Sequence, residues 1–208
     1  HKKYLGEPQS VLDSLERKRI DEFHILRPRK KNDSYKEVEM DLAKLSYINS
    51  LTPTAIGGGL SPTFGLNTSM ISFERFMFNK SLFDNLQYVE KLRGIYGQQS
   101  ICAYIPIKKI NKKLYFWNGS KNDFDKYEKN SFLDFMSLIN EFIFLDVDNE
   151  GSMRGFNFNL INSLEITLDK ILISGGIDYK TVNMARKKGY AGVSIDNRSL
   201  FYENNFYI

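Results

Sequence analysis

Apolar positions along this chain follow two alternating rhythms. Short runs rich in β-branched and aromatic residues read as strands: EFHIL (22–26), PTAI (53–56), FERFMF (73–78), SICAYIPI (100–107), FIFLDV (142–147), KILIS (170–174) and AGVSI (191–195). Between them apolar residues recur with the helical period over 10–18, 37–49, 82–96, 131–140, 158–164 and 179–188. In 131–140, Phe132, Phe135, Met136 and Ile139 make one stripe while Asp134 and Asn140 face away. Strand and helix in alternation argue for a parallel sheet with right-handed crossovers. One stretch breaks the rule: KKINKKLYFWNGSKND (108–123) reads as a hairpin with Asn-Gly at its far side. The unit recurs about every 25 to 40 residues and no G-x-G-x-x-G opens the chain, so a closed barrel is favoured over an open doubly wound sheet.

Two of the runs end in glycine. AIGGGLS (55–61) and ISGGID (173–178) are about half the chain apart. A strand entering Gly-Gly ahead of a helix is where α/β proteins hold phosphate, because glycine lets the backbone approach the anion and the helix start offers free N–H groups. The same pattern also makes an ordinary βα turn. Two such turns on one rim of a barrel would suit a ligand with a phosphate at each end.

Composition narrows the class. With 208 residues, 42% of them hydrophobic, the chain can bury one core, and residues 1–208 are expected to form one domain. A net charge of +4 and a pI near 8.9 are mild. Basic residues cluster in RPRKK (27–31) and KKINKK (108–113), but no aromatic reader motif accompanies them, so nucleic acid is not an expected partner. Cys102 is the one cysteine and sits in an apolar run. Two histidines, His1 and His24, cannot build a His-rich metal site, and no metal or cofactor is expected. No stretch nears the ~18 apolar residues of a membrane span, and no signal peptide opens the chain, so the expected setting is the cytoplasm.

The segments KYLGEP, IDEFHIL, TPTAIGGGL, GQQSICAYIPIKK, FIFLDVDNEGSMRGFNFNLI and ILISGGID occur in the order and near the spacing seen in the cyclase subunit of imidazole glycerol phosphate synthase. The chain resembles that family over nearly its whole length. The resemblance implies a (βα)8 barrel of the TIM type whose first strand lies before His1. It also implies a glutaminase partner and a barrel that conducts ammonia through its core to close an imidazole ring, as a lyase. DVDNEGSMRG resembles the family's sixth-strand D-x-D-G-T-x-x-G segment.

Departures from the family pattern bear on function. Cyclase chemistry in the family resembles acid–base catalysis by aspartates at the ends of the first and fifth strands. The first would precede His1, and the second falls on Pro106, which has no titratable group. Arg27 stands where the family carries an acid. Nearby carboxylates that could take over are Asp146, Asp148 and Glu150. The first phosphate site maps to Gly57, Gly58 and Gly59 with Asn79 and Lys80 opposite. The second maps to Ser174, Gly175, Gly176 and Asn197, where Asp196 would repel an anion and Arg198 could offset it. At the other end, the family's ring of alternating charges maps to Glu22, Arg75 and Glu141, and Glu74 matches an acidic residue facing the glutaminase. An equally good explanation of that ring is that strands often begin with a charged residue.

Three functions fit these residues. The chain pairs with a glutaminase and conducts ammonia for an amidation made elsewhere, for example on a sugar nucleotide of a surface polysaccharide. Alternatively it is a working histidine-pathway cyclase, or a phosphosugar-binding barrel without an ammonia role.

Overall fold

A computed structural model describes residues 7–18, 20–29, 33–45, 47–60, 62–66 and 73–195. Helix α1 (Pro8–Glu16) leads into strand β1 (Phe23–Arg27), α2 (Tyr35–Leu45), β2 (Thr54–Gly58) and β3 (Arg75–Phe78). Helices α3 (Lys80–Asp84) and α4 (Leu86–Tyr96) precede β4 (Ile101–Ile110), which runs into β5 (Lys113–Asn118) and β6 (Asp123–Lys126). The short α5 (Leu133–Met136), β7 (Glu141–Asp146), β8 (Ile171–Ser174), α6 (Tyr179–Lys188) and β9 (Gly192–Ser194) complete the order. Strands β1-β2-β3-β4-β7-β8-β9 lie side by side, every neighbouring pair parallel. Among the described residues only the β4–β5–β6 hairpins are antiparallel.

The sheet curls until its edges meet through side chains: His24 Nδ1 on β1 lies 3.1 Å from Ser194 Oγ on β9. This is an α/β fold of the TIM type. The strand that the resemblance puts before His1 lies outside the described residues. Alternate residues divide between two apolar clusters, as the period of two requires. On the helix-facing side Ile56, Phe76, Phe78, Ile101, Ala103, Ile105, Phe142, Phe144, Ile171 and Ile173 join the large core. On the inner side Ala55, Met77, Cys102 and Ile143 pack with Tyr104 and Leu172.

Local chemistry explains the element ends. Ser34 and Glu37 form a reciprocal capping box at the start of α2, with Glu37 N–H donating to Ser34 Oγ at 3.2 Å and Ser34 N–H donating to Glu37 Oε2 at 2.7 Å. Asp178 accepts from Thr181 N–H at 2.7 Å and starts α6. The single helix expected over 82–96 is split at Asn85, whose extended φ of −152° breaks the coil and whose side chain caps α4 by accepting from Tyr88 N–H. In the stripe at 131–140 Phe132, Phe135 and Ile139 are buried and Met136 partly so, yet only one α-turn forms, because Leu138 and Ile139 donate to carbonyls three residues back. Residues Phe158–Ser163 are 3-10 rather than α. There Asn157 accepts from Asn159 N–H, and Asn159 from Asn162, so amide side chains compete with the helical ladder.

The glycine turns answer to one packing constraint. Both lie at the C-terminal rim, since their strands are parallel. Gly58 has φ +113° and a Cβ there would sit 2.2 Å from the Arg27 carbonyl oxygen; Gly175 has φ +91° and a Cβ would sit 2.4 Å from that of Asp146. In each case the neighbouring strand's last carbonyl occupies the space of a side chain. Gly175→Ala is therefore expected to cost about 1–3 kcal/mol in urea unfolding. By contrast Gly94→Ala, on the open face of α4 with nothing within 4 Å, should stabilise by about 0.5–1 kcal/mol. Equal behaviour of the two variants would remove the carbonyl-clash explanation.

Candidate functional site

At the N-terminal rim, Glu22 precedes β1, Arg75 opens β3 and Glu141 opens β7. Strand alternation turns all three inward, and they meet. Arg75 Nη1 donates to Glu22 Oε2 at 2.9 Å, and Nη2 donates to Glu141 Oε2 at 2.5 Å. His24, two residues beyond Glu22 and on the same face, places Nε2 2.8 Å from Glu22 Oε1. The side chains of Glu22, Arg75 and Glu141 keep only 19, 17 and 25% exposure, so this network is largely shielded. Glu74 points outward beside it and accepts from Thr54 N–H at 2.7 Å and Oγ1 at 3.0 Å.

Burial opposes the Arg75 charge, but Cys102, Glu141 and Glu22 more than compensate and hold it above its ordinary value. Burial would raise the Glu22 carboxyl, yet His24 and Arg75 outweigh it and keep it below the usual carboxylate range. A depressed folded value stabilises the fold above the ordinary carboxylate range, and that contribution disappears as pH falls through the depressed value. Glu22→Gln is expected to flatten this part of the acid limb in urea unfolding followed against pH. An unchanged acid limb would mean that Glu22 titrates as in the unfolded chain.

Above the ring lies the inner apolar cluster, and above that Tyr104. Burial, and then the Glu150 carboxylate, raise the Tyr104 phenol above its ordinary value. A cleft of about 1650 Å³ between the sheet edges reaches from Glu22, Arg75 and Glu141 up to Tyr104, Ser174 and Gly175, with Glu150 also lining it. Pro106 continues the inward line of Cys102 and Tyr104, opposite Leu145 in register.

The three candidate carboxylates are not equivalent. Asp146 is 1% exposed and follows Phe142 and Phe144 in the alternation, away from the interior. Its carboxylate accepts from Asp148 N–H at 3.2 Å, Asn149 Nδ2 at 2.7 Å and Asn157 N–H at 3.1 Å, tying down the loop after β7. Asp148 is exposed on that loop, and Glu150 alone of the three lines the cleft.

Several of the candidate phosphate ligands are also occupied within the protein. Asn79 Nδ2 donates to the carbonyls of Tyr104 and Trp117 at 3.0 and 3.1 Å, and its Oδ1 accepts from Gly119 N–H at 2.8 Å, fastening the hairpin to the barrel. Lys80 pairs with Asp84. Gly59 N–H donates to Arg27 O at 2.9 Å, and Gly176 O accepts from Gly155 N–H at 2.7 Å. The backbone of Gly57 pairs with β3. Ser174 and Gly175 line the cleft. Asn197, with Asp196 and Arg198, lies outside the described residues. Arg27 turns outward to Asp33 and Asp41 at 2.6 and 2.8 Å.

The sequence profile of the family described as histidine biosynthesis protein matches residues 1–206. The chain belongs to this family. A protein from Parasynechococcus marenigrum (strain WH8102) that carries the provisional name imidazole glycerol phosphate synthase subunit hisF2 is 30% identical over 165 residues, 76% of this chain. The chain spans 60% of that relative's length. Family membership agrees with the curled parallel sheet. Two inward residues escaped the sequence reading, His24 and Tyr104. Both sit two positions beyond residues that were singled out, Glu22 and Cys102, so the strand period could have found them. Among the described residues no group of acidic, His and Cys side chains is placed to hold a metal ion, and no helix is long and apolar enough to cross a membrane.

Proposed function

We propose that this chain is a diverged cyclase-subunit homologue that pairs with a glutaminase and conducts ammonia through its barrel for an amidation, with cyclase chemistry impaired. The observation that carries this reading is the contrast between the two rims. Glu22, Arg75 and Glu141 form one shielded ion-pair network at the N-terminal mouth. At the other rim the inward position that needs an acid holds Pro106. A mouth built for passage beneath a site without its base suits a conduit better than a cyclase.

In this reading Glu74 contacts the glutaminase, and a phosphorylated ligand is held at the C-terminal rim, within a cytoplasmic complex. The name of the Parasynechococcus marenigrum relative is compatible with it. An affinity-tagged copy of this chain should retain a glutaminase from the same genome and raise its glutamine hydrolysis, while Glu74→Lys should weaken retention. No retention of any glutaminase would leave the phosphosugar-binding barrel as the better reading. The cyclase reading rests on Glu150, which shares the cleft with Tyr104, Ser174 and Gly175.

A further inference from the structure

On the hairpins beyond the C-terminal rim, register sorts the side chains into two unlike faces. Lys108 stands opposite Tyr115, Tyr115 opposite Lys126, and Trp117 opposite Phe124. Directly paired residues share a face, and Lys108 follows Tyr104 and Pro106 in the alternation of β4. This face therefore continues the barrel interior past the rim. The other face carries Leu114 and Phe116, which join the large core, together with Asp123 and Asp125. Asp125 is held there by Asn118 Nδ2 at 2.9 Å and Lys121 Nζ at 2.8 Å. Both β6 carboxylates are thus turned away from the aromatic side. A hairpin face not packed on the core ordinarily carries polar side chains. Here Tyr115, Trp117 and Phe124 stand on it, each part-exposed. Trp117 and Phe124 meet edge to face at 5.2 Å, and Lys108 Nζ lies 3.8 Å from the Phe124 ring centre. The basic run at 108–113 shows no aromatic partners in sequence; strand pairing supplies them.

We propose that this face binds a nucleoside diphosphate, its base stacked on Trp117 and Tyr115 and its phosphates held by Lys108 and Lys126. The proposal goes beyond the conduit reading and uses neither the charged ring nor the glycine turns. Aromatic side chains stack on any base, because every base has a π-face. Lysine ammonium groups hold phosphate as point charges. An apolar ligand would leave the two ammonium groups unused, and a bare anion would leave the rings unused. Phe124 is taken by Lys108, which sets that ammonium beside the two remaining rings. Lys126 keeps 45% exposure and pairs with Glu128, itself 67% exposed. Such a surface pair contributes little, so phosphate can displace the carboxylate. Three strands spaced about 4.8 Å apart make a face about 10 Å across, room for one nucleotide rather than a run of bases.

Trp117 is the one tryptophan of the chain, so its fluorescence reports on this face alone. The unmodified protein is titrated, without any glutaminase, with ADP, with inorganic pyrophosphate and with single-stranded oligoadenylate. Equilibrium dialysis measures ADP binding in parallel. The expected result is saturable quenching by ADP at the midpoint that dialysis gives, with pyrophosphate binding far more weakly. Lys108→Gln and Lys126→Gln should each raise the ADP midpoint ~3–10-fold, the loss of one partly solvated charge-assisted contact. Midpoints unchanged in both variants would overturn the proposal. So would pyrophosphate competing as well as ADP binds, which would leave an anion patch alone. ADP retained in dialysis with Trp117 unquenched would put the nucleotide elsewhere on the rim. Oligoadenylate binding far more tightly than ADP would make single-stranded nucleic acid the occupant instead. No ADP binding at all would mean that the rings only pair across strands, and would overturn it as well.

Discussion

Supplied with ammonium salt and the two-phosphate aminoimidazole precursor, the protein is expected to close the imidazole ring ~10²–10⁴-fold more slowly than a cyclase with its aspartates in place. That range is what one positioned acid–base group typically contributes. Pro106 occupies the inward position on β4 and can neither take nor give a proton. Of the carboxylates nearby, Asp146 faces the helix layer and is held by three donors of its own loop. Asp148 is exposed, and Glu150 lines the cleft from a turn. Steady-state assays with ammonium replacing the glutaminase isolate the barrel's own chemistry. Turnover within an order of magnitude of a competent cyclase would overturn the expectation. Loss of that turnover in Glu150→Gln would then make Glu150 the base, with the Tyr104 phenol as its neutral neighbour.

The largest stability effect is expected at the mouth. Arg75→Met leaves Glu22 and Glu141 facing one another inside a partly shielded rim. Removing one partner of a buried ion pair costs about 3–5 kcal/mol. Because the two carboxylates keep 19 and 25% exposure, solvent screening lowers the expectation to about 2–4 kcal/mol. Arg75→Lys should fall between, since an ammonium cannot serve two carboxylates with the same planar fork. Adding Glu22→Gln to Arg75→Met should recover part of the loss, a coupling visible in a double-mutant cycle of urea unfolding. A loss below about 0.5 kcal/mol for Arg75→Met would mean that the ring is solvated and contributes only as surface pairs do.

Most strands were legible because each buries both faces or alternates, and because a strand's period assigns its faces without reference to the rest of the molecule. The single hairpin read at 108–123 from its Asn-Gly is in fact two, β4–β5 and β5–β6. At the first turn Asn111 and Lys112 adopt positive φ, and Asn118-Gly119 begins the second. Helix ends were less so. The stripe of Phe132, Phe135, Met136 and Ile139 announces burial correctly but says nothing about how many residues complete α hydrogen bonds.

By itself the sequence determined most of the strands and which glycines sit at their ends, since these depend on spacing and on the lack of a Cβ. Glu22, Arg75 and Glu141 were singled out by resemblance, and the structure shows that they face inward and meet. Only the tertiary structure decided what each polar group touches. Asn79 finds its partners on β4 and the hairpin, 25 and 38 residues away. Arg27 is taken by Asp33 and by Asp41 on α2, and Asp146 by its own loop. His24 meets Ser194 across 170 residues of chain. The physical reason is that a side chain's face follows from local backbone geometry, whereas its hydrogen-bond partner depends on which strand ends the curling sheet brings within about 3 Å.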